Sequence, residues 1–132
     1  MSQELFWLTL TAAMTGLMWV PYIVDRMLTR GLWATLDNPR PNAKPQSGWA
    51  MRLYFAHTNM VENLVVFATL VLILDAINVS NKTTVIACAV FFWARLAYAL
   101  IYLFGAPVLR TLAFTVGFLA QVALVLAIFG AA

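Results

Sequence analysis

Leu5–Val24 is a run of 20 residues without one charged side chain. As a helix it covers the roughly 30 Å of a bilayer's hydrocarbon core. Three more apolar runs follow, so helices are expected at about residues 5–28, 49–77, 83–104 and 109–131. Within lipid each backbone polar group must find its partner inside the span, which favours helices over open strands. The expected fold is therefore an all-α membrane protein, a four-transmembrane-helix bundle forming one domain over residues 1–132. The composition agrees: 64% of the chain is hydrophobic and only 10% charged, against roughly 25% charged in soluble domains.

The first run does not read as a cleaved signal peptide. It is preceded by Glu4 rather than a basic segment, and no small-residue cleavage site follows. Pro21 is expected to kink it. Asp75, Asn78, Ser80, Asn81 and Lys82 mark a short polar turn, and Gly105-Ala106-Pro107 a break. The long connection is Gly31–Gly48, which contains Pro39, Pro41 and Pro45 and reads as irregular.

Charge sets the expected orientation. Arg26, Arg30, Arg40, Lys44 and Arg52 flank the first connection and Arg110 the third, while the opposite side carries Lys82. The positive-inside rule places the basic connections in the cytoplasm and both termini outside, as in a bacterial inner membrane. The net charge of +3 does not point to nucleic acid, because the basic residues sit at helix ends. A single cysteine, Cys88, excludes an internal disulfide, and with one histidine, His57, no metal site is expected.

The chemistry concentrates in Arg52–Phe67, RLYFAHTNMVENLVVF. A charged group inside a span costs a few kcal/mol and usually faces a bundle interior or a wet cavity. Arg52, Phe55, Asn59, Glu62 and Val66 follow steps of three and four and share one helix face, while His57 and Asn63 point elsewhere. In the third span Arg95, Tyr98 and Tyr102 share a face, and Arg110 and Thr111 open the fourth. These faces are expected to meet in a cavity at the cytoplasmic end. Three arginines against one carboxylate suit an anionic, peptide-like ligand, since guanidinium forks bind carboxylates in pairs of hydrogen bonds. Blander roles stand beside each. Glu62 can lock packing against an arginine, Asn59 can bond between helices, and the tyrosines can be interfacial belt aromatics.

The two segments RLYFAHTNMVENLVVFA and ARLAYALIYLFGAPVLRTLAF, in this order, resemble the MAPEG family, membrane-associated proteins in eicosanoid and glutathione metabolism. The pattern is an arginine, an Asn-x-x-Glu pair and an apolar run. It continues with Arg, Tyr, Tyr, a Gly/Pro turn, and an Arg followed by a small hydroxyl residue. The resemblance covers essentially the whole chain and is greatest to bacterial members. It implies a left-handed four-helix membrane bundle that assembles as a homotrimer. It also implies glutathione as co-substrate, bound between subunits near the cytoplasmic face, and a lipophilic small molecule reaching the site from the membrane lipids.

By motif position, Asn59 and Glu62 correspond to residues that hold the glutathione backbone and its γ-glutamyl amino group. Tyr98 and Tyr102 correspond to lining residues, and Thr111 to the small hydroxyl position. Arg110 corresponds to the arginine that stabilises the thiolate, and Arg30, Arg52 and Arg95 to further basic positions. The implied activity is a glutathione transferase or peroxidase acting on lipophilic electrophiles or hydroperoxides. One position departs from eukaryotic members: Phe55 stands where they carry an arginine one turn before the Asn. Thr58 stands where some members have another. A non-catalytic membrane binding or scaffold protein of the same fold is therefore a second reading. A small transporter subunit is a third, opposed by the uncharged first span and the excess of arginine.

Overall fold

The computed structural model describes residues 1–131. Its helices are α1 (Gln3–Leu17), α2 (Trp19–Arg30), α3 (Leu32–Leu36), α4 (Gly48–Ala76), α5 (Lys82–Phe104) and α6 (Pro107–Gly130). α1 and α2 together form one span of 28 residues, and α4, α5 and α6 supply spans of 29, 23 and 24. All four are long and apolar enough to cross a membrane. The protein is thus an integral multi-pass membrane protein built as a helical bundle.

Local chemistry sets the ends of the helices. Ser2 caps α1 by accepting from the Leu5 amide at 3.2 Å. α1 gives way to α2 at Met18. Pro21 lies four residues after Leu17, so its ring crowds the Leu17 carbonyl and cannot donate to it, which breaks the ladder there. Asn81 and Thr84 form a reciprocal capping box at the start of α5. Gly105 ends α5 at φ +80°, a left-handed conformation that suits glycine. Pro107 opens α6, where its missing N–H costs nothing.

α5 is the central element, packed against α1, α4 and α6. Phe67 and Phe91 stack at 4.0 Å at the middle of the core, among Val71, Leu74, Cys88 and Leu124. Outward, each span carries exposed Leu, Ile, Val or Phe side chains, the surface expected against lipid rather than water.

Two side-chain clasps close the ends of the bundle. At one end Glu4 Oε1 accepts from Ser80 Oγ at 2.7 Å and from Thr84 Oγ1 at 2.8 Å, tying α1 to the turn before α5. At the basic end the buried Asp25 accepts from the Ser47 amide and hydroxyl, and Gln46 donates to the Tyr22 carbonyl at 2.7 Å. The first connection is therefore anchored just before α4. It also differs from the irregular loop expected of it, because Leu32–Leu36 forms α3 after a reversal at Gly31, φ +86°.

Candidate functional site

Arg95 heads the largest fully buried side chains, with 1% exposure. It lies nine residues before the end of α5, about 14 Å along the helix axis at 1.5 Å per residue. A guanidinium at that depth needs partners. Arg95 Nη2 donates to Asn59 Oδ1 at 2.6 Å, and Nε to the Met60 sulfur at 3.3 Å. Its face covers the Tyr98 ring at 4.2 Å and approaches the Phe114 ring at 5.7 Å. Among the described residues no carboxylate comes within 4.0 Å of it. An amide dipole and a π-face thus stand in for the counter-ion.

Asn59 is held in turn. Asn63 Nδ2 donates to the Asn59 carbonyl at 2.9 Å and to its Oδ1 at 3.2 Å. Gln121 Nε2 donates to the Asn63 carbonyl at 3.3 Å. One polar chain thereby joins α4, α5 and α6 within the spans. Asn63 takes part although helical spacing sets it off the Asn59–Glu62 face. His57, also off that face, meets the Tyr22 hydroxyl at 2.8 Å and so joins α4 to α2.

From Arg95 the aromatic residues lead toward the basic end. Tyr98 and Tyr102 pack edge to face at 5.7 Å, and the Arg110 guanidinium covers Tyr102 at 4.3 Å. The result is a ladder of Arg95, Tyr98, Tyr102 and Arg110 along α5 and the start of α6. Thr111 is exposed beside it, its hydroxyl donating to the Pro107 carbonyl at 3.1 Å. Arg52 has a structural task here. Its Nε donates to the Leu103 carbonyl at 2.9 Å, covering an orphan acceptor at the negative end of α5.

Glu62 stands apart. It is exposed, and among the described residues it forms no ion pair. Phe55 and Val66 on its face are 51% and 47% exposed, and Asn59 is half-buried. The expected convergence inside one bundle therefore takes a different form. α4 turns Ala56, Met60, Phe67 and Val71 into the core, so the face with Glu62 lies along the outer edge of the chain. Helical spacing groups residues on a face but does not say which face enters the core. Arg30 is also set apart: its Nε donates to the Lys44 carbonyl at 2.6 Å, within the first connection.

Asp25 is the residue that sequence reasoning missed. Its signal was an acid at the end of an apolar run, among basic residues, with Gln46-Ser47 just before a helix. Among the described residues no group of three or more His, Cys, Asp or Glu side chains is placed to hold a metal. The arrangement left is a row of cations and phenols beside a half-buried amide and an exposed carboxylate. It can bind a zwitterionic or anionic polar molecule from the edge of the chain.

Among curated proteins and among solved structures, none matches this chain. The model of the MAPEG family matches residues 5–130, nearly its whole length. With that match, four membrane-crossing helices and the Asn59-x-x-Glu62 and Arg110-Thr111 pairs in place, the chain belongs to the MAPEG family.

Proposed function

We propose that the protein is a glutathione-dependent membrane transferase or peroxidase. One observation carries this reading: exposed Glu62 and half-buried Asn59 share the α4 face next to the ladder that begins at Arg95 and ends in Arg110. Glutathione offers two carboxylates and an ammonium group, and this site offers guanidinium groups and one free carboxylate. Glu62 takes the γ-glutamyl ammonium group, Asn59 a backbone amide, and Tyr102 and Thr111 line the site, while buried Arg95 and Tyr98 hold Asn59 from behind. Arg52 adds positive charge at its mouth, and Arg30, bonded within the first connection, lies outside it. A neighbouring copy covers the Glu62 face, so the working unit is a homotrimer, the assembly that the family resemblance implies. The site opens to the cytoplasm, where the basic connections lie.

Arg110 stabilises the thiolate. A thiol with a pKa near 8.5 is mostly protonated at neutral pH, and a fixed guanidinium lowers that value. Tyr102 holds the Arg110 guanidinium by a cation–π contact, so the positive charge is placed before the thiol arrives. The thiol proton leaves to water. The sulfur then bonds to an electrophilic carbon as its leaving group departs, or it attacks the terminal oxygen of a hydroperoxide, breaking the O–O bond to release the alcohol and form the sulfenic acid of glutathione. A second glutathione thiol converts that acid to the disulfide and water. The lipophilic partner comes from the bilayer side.

Conjugation of glutathione to an activated aryl halide by the detergent-purified protein tests this. Arg110→Ala is expected to lower the rate at least a hundredfold while the protein elutes at the same size. Full activity in that variant removes Arg110 from the mechanism. Phe55 favours a second reading, a membrane binding protein without catalysis, because it leaves a hydrocarbon ring where eukaryotic members carry an arginine. No conjugation with retained glutathione binding favours that reading.

A further inference from the structure

The first connection lines an open cavity of about 600 Å³ that takes no part in the site above. Its walls include Arg30, Trp33, Asp37, Asn42, Arg40 and Lys44. Three cations face one carboxylate. Arg40 Nη2 is paired to Asp37 at 3.2 Å, whereas no carboxylate among the described residues lies within 4.0 Å of Arg30 or Lys44. The Arg30 Nε bond to the Lys44 carbonyl fixes the guanidinium against the wall. One of the two unpaired charges is thus held in place, with exposed Lys44 beside it.

The helices that bound it also carry apolar surface. Trp33 in its wall is 75% exposed, and Leu28, Leu32 and Leu36 on α2 and α3 are 81%, 61% and 70% exposed. α3 has only five residues, too few to be stable alone in water. It connects two membrane spans, with an apolar side uncovered and a basic cavity beneath it. Such an element belongs at the headgroup level, where a tryptophan and leucines meet the acyl boundary and basic side chains meet phosphate.

We propose that this cavity is a binding site for an anionic phospholipid. Arg30 and Lys44 take the phosphate, and Leu28, Leu32 and Leu36 take the first methylenes of its acyl chains. The joined polar and apolar surfaces favour a lipid over free phosphate, which gains nothing from the leucines. Basic pockets beside membrane helices recognise anionic headgroups by the same physics.

Association of spin-labelled phosphatidylglycerol and spin-labelled phosphatidylcholine with the full chain in phosphatidylcholine vesicles tests the site. The labelled anionic lipid is expected to associate several times more strongly than the neutral one. Lys44→Gln is expected to lower that ratio about fivefold, the effect of one basic charge at an anionic surface. Trp33→Ser removes a cavity wall without changing charge, and it too is expected to lower the ratio. Equal association of both lipids overturns the proposal. A ratio that falls in Lys44→Gln but not in Trp33→Ser also overturns it, showing diffuse surface attraction. Loss of the preference with millimolar inorganic phosphate assigns the cavity to soluble phosphate, and loss with millimolar glutathione assigns it to the co-substrate.

Discussion

Arg95 and Glu62 are opposite answers to the problem of charge in a membrane. Arg95 is buried and engaged by Asn59, Met60 and Tyr98. Glu62 is exposed and has no ion pair among the described residues. A polar group that is satisfied at home can serve structure, whereas one left open invites a partner. Glu62→Gln keeps the shape and removes the charge, so it is expected to weaken glutathione binding roughly tenfold or more, since a hydrogen bond to a charged group contributes about 1.5–3 kcal/mol. Calorimetric titration measures this, and an unchanged dissociation constant assigns Glu62 to packing between copies. The spacing of Arg52, Asn59 and Glu62 was legible in the sequence because it needs only the 3.6-residue turn. The pairing of Arg95 with Asn59 was legible only as a convergence of faces. The bond of Arg52 to Leu103 was not legible, because a backbone carbonyl has no sequence signature.

At the scale of elements, four spans could be read from apolar runs, and the ends of α5 and α6 from Asn81, Gly105 and Pro107. The break before Trp19 was legible from Pro21, though it falls a turn earlier because the ring acts on the Leu17 carbonyl. α3 was not legible, since a five-residue helix without a side-chain cap looks like a loop. Nor was the Asp25 clasp, whose partners lie 21 and 22 residues away. Asp25→Ala leaves the half-buried Ser47 hydroxyl and amide without their acceptor, at a cost of about 1 kcal/mol. Faster proteolytic cleavage between Asp37 and Pro45, with the spans intact, is the expected outcome. Cleavage at the original rate means that the connection is held by other contacts.

For the whole molecule, the uncovered edge at Phe55, Glu62 and Val66 is the feature that one chain leaves unresolved. Lipid is a poor neighbour for Glu62, so a second copy is the natural cover. Light scattering with detergent subtraction is expected to give three times the chain's 14.7 kDa, and a monomer contradicts the proposed assembly. The membrane bundle itself was fully legible, because the bilayer permits few alternatives to it. The partner surface was not, because a face that meets another copy reads much like one that meets lipid. The central claim is that the site binds glutathione, and the thermal unfolding midpoint of the purified protein, with and without millimolar glutathione, tests it most directly. At 100 times the dissociation constant a ligand of the folded state adds about 2.7 kcal/mol. A rise of several degrees, lost in Glu62→Gln, is expected. An unchanged midpoint at every glutathione concentration contradicts the claim and marks Phe55 as the site of a lost function.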